Sequence, residues 1–235
     1  MKSSMKHLAL AATAAGTALT LVACSSSSKS SSSSSASAAS ATTAAPVSVS
    51  ASSFTSDFSA MAQLKDLASK GKGLIGVLLP DTTTSARYES FDRPYLTKAF
   101  QAAGLSASDF KIDNAQGSAS TMQTQAEADI TQGASVLLVD ALDSGSGAAI
   151  EANATAKGVK VIDYDRLVKG GASGRTYVSF DNVAVGKLIG QGFVDCVSAW
   201  SVAKPNVLVM DGDPTDNNAT LFAQGYNGVL KSHFD

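Results

Sequence analysis

Acidic and amide side chains recur in this chain at the ends of apolar runs, close to two arginines, and that spacing limits the chemistry open to it. Asp81 follows the run 73–79, Asp140 and Asp143 follow 135–139, and Asp163, Asp165 and Arg166 follow 159–162. Further on, Asp211, Asp213, Asp216, Asn217 and Asn218 follow the run 206–210. A carboxylate accepts two hydrogen bonds from neighbouring hydroxyls, and an arginine donates to oxygens through a fixed fork. Several carboxylates facing an arginine and amides therefore suit a neutral ligand rich in hydroxyl groups. Tyr88, beside Arg87, offers a flat apolar face that can stack on the ring of such a ligand. Taken singly, each acid is as readily a helix cap, and Asp216 stands just ahead of an apolar helical run where caps belong. Convergence at one edge of a sheet is what turns them into a candidate site.

Other chemistries are poorly served by these residues. Histidine occurs only at positions 7 and 233, which disfavours a His-ligated zinc site and a Ser-His-Asp triad. No G-x-S-x-G elbow occurs. Gly71-Lys-Gly-Leu-Ile-Gly76 has the spacing of a dinucleotide fingerprint but leads into a strand, so a phosphate would meet no helix N-terminus. Asp211-Gly-Asp-Pro-Thr-Asp216 lacks the glycine and the later glutamate of a calcium loop. A formal net charge of −2 argues against a nucleic-acid surface.

The candidate groups need elements to hold them at one edge. The run 73–79 is short, continuous and apolar and ends in Pro80-Asp81, the pattern of a buried strand. A helix is predicted over 87–103, with Phe91, Tyr95, Leu96, Ala99 and Phe100 on one side and Gly104 as its stop. Residues 110–112 give a weaker strand, and the helix over 118–132 spaces Met122, Ala126 and Ile130 by four before Gly133. Strand 135–139, helix 147–157 and strand 159–162 continue the series. Alternation at roughly 25-residue spacing predicts an α/β fold built on a doubly wound parallel sheet. After 177–179 the pattern restarts with helix 182–200, strand 206–210 and helix 215–232. One strand between two helices is too little sheet for a layered domain. The segment reads as a second α/β domain cut short, with a complete small accessory domain as the alternative.

The chain begins with a different kind of signal. Lys2, Lys6 and His7 precede an uncharged apolar stretch from Leu8 to Leu21, too short for the ~20 residues of a membrane span. Leu21-Val22-Ala23-Cys24 resembles a bacterial lipobox, in which Cys24 is lipidated and becomes the mature N-terminus. An ordinary signal peptide that happens to contain a cysteine is the alternative. From Ser25 to Ser56 the chain is dominated by Ser, Ala and Thr, which cannot bury enough apolar surface to offset backbone entropy. It reads as a flexible tether, or alternatively as a glycosylated or surface-binding segment. The second cysteine, Cys196, is then single in an oxidising compartment, either a buried thiol or one lacking its partner.

Three segments carry a family resemblance: Val161-Ile-Asp-Tyr-Asp-Arg166, then Tyr177-Val-Ser-Phe-Asp-Asn182 with Val185-Gly186, then Asp213-Pro-Thr-Asp-Asn-Asn-Ala219 with Leu221-Phe222. In order and spacing they resemble the xylose-binding branch of the type I periplasmic sugar-binding proteins. The resemblance implies two doubly wound parallel-sheet lobes joined by a hinge, the second lobe truncated here. It implies that Asp165 and Arg166 contact sugar hydroxyls, that Arg87 contacts and Tyr88 stacks on the sugar, and that Asp216 and Asn218 reach it from the second lobe. Tyr88 stands where xylose-binding members usually carry tryptophan. Asp181 and Asn182 match hinge and helix-cap positions. The implied organisation is a signal peptide over 1–23, lipidated Cys24 and tether over 24–56, a first lobe over 57–179, and hinge with partial second lobe over 180–235.

Taken together, these readings predict a lipid-anchored, extracytoplasmic monomer that binds a monosaccharide, xylose or a similar pentose. It would deliver the sugar to the permease of an ABC transporter, with no cofactor, no metal, no nucleic-acid partner and no enzymatic step of its own. Two alternatives stand beside it. One is a sensor lipoprotein reporting sugar occupancy to a membrane receptor; the other is a secreted glycoside hydrolase pairing Asp165 with Asp216.

Overall fold

The short apolar runs become the strands of one sheet. The computed structural model describes residues 48–83 and 85–234, so the signal segment, Cys24 and most of the serine tract lie outside the described residues. A 3-10 turn at Ala51–Ser53 and two short helices, α1 (Ser59–Ala62) and α2 (Lys65–Ala68), lead into β1 (Leu74–Leu79). Next come α3 (Arg93–Ala102), β2 (Phe110–Asn114), α4 (Ala119–Thr131) and β3 (Ala134–Val139). Then follow α5 (Ser144–Ala156), β4 (Lys160–Tyr164), β5 (Thr176–Val178), α6 (Asn182–Ala199) and α7 (Asn217–Phe234).

All strand pairings are parallel, in the order β2-β1-β3-β4-β5. Alternate residues of β1 serve opposite faces. Val77 and Leu79 pack with Tyr88, Leu96 and Phe100 beneath α3, while Leu78 packs with Met122, Leu137 and Ile150 beneath α4 and α5. Burying each such side chain is worth about 1.5–3 kcal/mol, which is why the runs are apolar on both faces. The predicted doubly wound parallel sheet is therefore present. Its strand order reverses between β1 and β3, and ligands of open α/β sheets bind beyond the carboxyl ends of strands at such a point.

Three predicted details differ. The helix after β1 does not run smoothly from Arg87: residues Tyr88–Asp92 form a π turn before α3. Pro94 has no N–H to donate to the carbonyl of Ser90, so the regular ladder cannot pass through it. Leu96 and Phe100 pack inward, but Phe91 and Tyr95 lie exposed against one another, ring centroids 6.1 Å apart. Helix α5 starts three residues before the predicted Gly147, because Asp143 caps it by accepting from the Ser146 N–H at 2.8 Å. Residues 206–210 form no strand, for no neighbouring strand among the described residues takes up their backbone groups. Of the two readings of Cys196, the buried thiol is set aside, since the residue is free and exposed on α6.

Helices α6 and α7 pack through glycine. A Cβ on Gly186 would stand 2.3 Å from the Phe222 carbonyl oxygen, and one on Gly225 would stand 2.4 Å from that of Val183. The backbones approach as closely as they do because both positions lack a side chain. No helix among the described residues is long and apolar enough to cross a membrane.

Candidate functional site

The elements bring Arg87, Tyr88, Asp165, Arg166, Asp216 and Asn218 together at the carboxyl edge of the sheet. Arg87 and Tyr88 sit at the turn ahead of α3, Asp165 and Arg166 just beyond β4, and Asp216 and Asn218 at the start of α7. Asp165 lies at the centre and is 5% exposed. Its Oδ2 accepts from Arg87 Nη2 at 2.8 Å and from the Tyr88 hydroxyl at 3.4 Å, and its Oδ1 accepts from Asn218 Nδ2 at 3.2 Å. Its carbonyl oxygen accepts from Ser179 Oγ at 2.8 Å, the Tyr177 hydroxyl at 3.2 Å and Asn218 Nδ2 at 3.3 Å. These bonds hold Asp165 at φ +63°, a left-handed conformation that a non-glycine residue keeps only when its surroundings enforce it.

Arg166 supplies the second cationic centre. Its Nη2 donates to the Tyr88 hydroxyl at 3.0 Å, and its Nε lies 3.2 Å from Asp216 Oδ2 and 3.6 Å from Asp140 Oδ1. Asp216 also accepts from the Asn218 N–H at 2.8 Å, so it caps α7 and pairs with Arg166 at once. Burial first, and the Asp140 charge second, push the Tyr88 hydroxyl well above the ordinary tyrosine range. It therefore stays protonated, able to donate to Asp165 while accepting from Arg166.

The ring of Tyr88 does not offer an open stacking face in this arrangement. It is 3% exposed, with the Arg87 and Arg166 guanidinium carbons 4.9 and 5.8 Å from its centroid. Cation–π contact with the two guanidiniums, together with burial, takes the place of the expected stacking. Beside Arg87 and Asp165 a cleft of about 540 Å³ opens, walled by Phe91, Asp92, Tyr164, Val178 and Phe180. A larger cleft, about 800 Å³, lies at the opposite end of the sheet near Leu64, Phe100 and Val136, away from this polar cluster.

Other acids at the strand ends do different work. Asp81 accepts from the Thr83 N–H at 3.0 Å and shapes the turn after β1; Asp213 does the same for Thr215 at 2.8 Å. Asp163 turns away to Arg175 at 2.8 Å, and Asp211 accepts from the Tyr226 hydroxyl. Asp181 caps α6, accepting from the Ala184 N–H at 2.9 Å, while Asn182 donates to the Phe180 carbonyl at 3.2 Å. Asp92 was not singled out in the sequence, yet it takes Arg87 Nε at 2.8 Å and the Tyr164 hydroxyl at 2.7 Å. Its place five residues past Arg87, one turn on, was the available signal. No cluster of His, Cys, Asp or Glu among the described residues is arranged to hold a metal ion.

A parallel sheet with a polar, charge-alternating pocket at its switch point defines a ligand-binding α/β protein. The family model for the periplasmic binding protein domain matches residues 75–235, and the chain belongs to that family, among its type I sugar-binding members. Multiple sugar-binding periplasmic protein SbpA of Azospirillum brasilense is 31% identical over 79% of this chain and 53% of its own length. The D-xylose-binding periplasmic protein of Escherichia coli is 35% identical over 61% of this chain and 41% of its own. An ABC transporter solute binding protein from Clostridium phytofermentans, solved with bound β-D-glucose, superposes with a TM-score of 0.61 at 30% identity. That match covers 68% of this chain and 48% of the other. The chain thus spans about half the length of the curated relatives it matches.

Proposed function

We propose that this protein captures a neutral monosaccharide, a pentose such as xylose or a close analogue, and delivers it to an ABC transporter from outside the cytoplasmic membrane. The observation that carries the proposal is the meeting of Arg87, Arg166 and Asn218 with Asp165 and Asp216 at the switch-point edge. Without a ligand these groups satisfy one another. A sugar offers hydroxyls that donate to the carboxylates and oxygens that accept from the guanidiniums, so it can replace those bonds one for one. Arg87, Tyr88, Asp165, Arg166, Asp216 and Asn218 are its contacts, and Asp181 and Asn182 sit at the hinge on which the lobes close. Cys24 carries the acyl anchor, and the serine tract spaces the folded part from the bilayer.

Support comes from the names of four relatives: two are named for D-xylose and two for multiple sugars. A thermal-shift screen of pentoses and hexoses, followed by calorimetry and recovery of the ligand, tests the reading. A shift with D-xylose or a related sugar, recovered chemically unchanged, is expected. No shift with any sugar refutes it, and turnover of a glycoside replaces it with the hydrolase. In the same cells, Cys24→Ser moves the protein from the membrane to the soluble fraction; retention on the membrane removes the lipid anchor from the proposal.

A further inference from the structure

We propose that Glu151 and Asp163, sharing one proton beside Arg175, form a latch on the loop between β4 and β5 and thereby set how firmly Arg166 is presented to a ligand. The inference rests on the sugar-binding reading and adds a means of regulating that site. Both carboxyls are 0% exposed, Glu151 on α5 and Asp163 on β4. One oxygen of each is engaged. Glu151 Oε2 accepts from the Ala172 N–H at 2.5 Å. Asp163 Oδ2 accepts from Arg175 Nε at 2.8 Å and from the Val168 N–H at 3.0 Å. The remaining oxygens, Glu151 Oε1 and Asp163 Oδ1, are buried without a hydrogen-bond partner.

Two such acceptors, on side chains within hydrogen-bonding range of each other, are satisfied together by a single proton. Glu151 then donates to Asp163, and the buried charge balances, one carboxylate against one guanidinium. Loss of the proton leaves two carboxylates facing the one arginine. Burial, and after it the Asp163 charge, push the Glu151 carboxyl up to about 7, so the change falls at ordinary pH. Asp163 from β4 and Arg175 from the loop are the charges that face Glu151. Glu127 of α4 lies instead beside Ala149 and Asn153, and Lys160 of β4 is exposed.

The loop rests directly on this pair. A Cβ on Gly171 would stand 2.6 Å from Glu151 Oε1, so only glycine lets the backbone settle there. Val168, held by Asp163 and 0% exposed, is two residues past Arg166, and the next N–H, of Lys169, donates to Ser144 Oγ at 3.0 Å. Repulsion between the two ionised acids works against the bonds to Val168 and Ala172 and loosens the segment that begins at Arg166. The arrangement that binds ligand is the protonated one. Affinity therefore falls as pH rises through 7, and binding near that pH takes up protons.

The test compares the full chain with Glu151→Gln, whose amide can donate to Asp163 without titrating. Hydrogen exchange of the ligand-free proteins at pH 6 and pH 8, corrected for intrinsic exchange, follows the Val168 and Ala172 amides. Calorimetry with D-xylose and D-glucose, in buffers of different ionisation heat, gives affinity and proton uptake. In the unsubstituted chain, protection of both amides is expected to fall between pH 6 and pH 8. Affinity falls about tenfold over the same range, as the protonated fraction of a group titrating near 7 does, with proton uptake at pH 7.5. The Gln variant shows none of these changes and binds at both pH values as the unsubstituted chain does at pH 6. A flat pH response in the unsubstituted chain overturns the latch, as does a Gln variant that keeps the response. Protection that falls while affinity does not overturns the coupling to Arg166. If neither sugar binds at either pH, the sugar reading fails, and the protection of Val168 and Ala172 alone decides whether the latch exists.

Discussion

Arg166 is the side chain whose contacts tie the most parts of the site together. It touches the Tyr88 hydroxyl, the Ala141 carbonyl and Asp216, with Asp140 just beyond, which are groups from three segments of the chain. Removing it leaves acids from β3 and α7 facing one another without the charge that offsets them. Arg166→Ala is therefore expected to cost about 2–5 kcal/mol of sugar binding, the range for truncating one partner of a buried charged pair. Arg166→Lys recovers little of this, because an ammonium cannot reproduce the planar fork that serves Tyr88 and Asp216 together. Calorimetry reads both; a loss below roughly 0.5 kcal/mol for the Ala variant would set Arg166 apart from the ligand. At this scale the sequence disclosed the types and approximate places of the polar groups, since Asp165 and Arg166 end an apolar run. It did not disclose the left-handed φ of Asp165 or the three donors on its carbonyl, because those depend on Tyr177, Ser179 and Asn218 arriving from elsewhere. Nor did it show that Tyr88 would be enclosed by the two arginines beside it.

Among the elements, the strands that could be read correctly were those whose neighbours lie within the described chain. β1, β3 and β4 are apolar on both faces because helices cover both faces, and their sequence runs report that burial. Residues 206–210 carry the same apolar signal, yet a strand exists only when a partner accepts its hydrogen bonds. The π turn at Tyr88–Asp92 was hidden for a related reason: a proline marks a break but not the way the chain accommodates it. The segment between β4 and β5 shows how an element is pinned without apolar burial. Glu151 of α5 and Asp163 of β4 both face Arg175, at 3.6 and 2.8 Å, while Glu151 accepts from the Ala172 N–H at 2.5 Å and Asp163 from the Val168 N–H at 3.0 Å. Arg175 in turn donates to the Val168 and Ala172 carbonyls, closing the loop on itself. Burial, together with the Asp163 charge, pushes the Glu151 carboxyl up to about 7. The folded state thus holds this proton more tightly than the unfolded chain, where the group titrates near 4.5. Its contribution to stability is complete below that value and is lost as pH rises towards 7. Glu151→Gln keeps the shape without the charge and is expected to flatten this decline, gaining about 1–3 kcal/mol at pH 8. Urea denaturation at pH 5 and pH 8 reads the effect; equal destabilisation at both would mean that the Arg175 ion pair, not the proton, holds the loop.

Across the whole molecule, the sheet and its two covered faces form a packed core, whereas the part after β5 leaves apolar side chains in water. Leu208 is 85% and Met210 88% exposed, Val207 and Val209 are about half exposed, and Leu188, Ile189 and Trp200 of the α6 region are exposed as well. A contiguous apolar segment of β-forming residues with unpaired backbone groups is a template for pairing with another chain. Monomeric soluble proteins rarely leave such surface open. This exposed segment gives residues 57–235, produced alone, a surface for self-association. Produced without residues 1–56, residues 57–235 are expected to self-associate at micromolar concentration through 206–210. Leu208→Lys combined with Met210→Lys should shift the population towards monomer, since both side chains are almost fully in water and their replacement disturbs no packed neighbour. The added charges meet one another across any strand-to-strand contact and oppose it. Sedimentation velocity at several loading concentrations measures the distribution, and hydrogen exchange locates the contact. Protection of amides 206–210 that appears only in the associated species is the expected pattern. A chain that stays monodisperse as a monomer across that range, with those amides protected, would show that 206–210 find a partner within their own molecule.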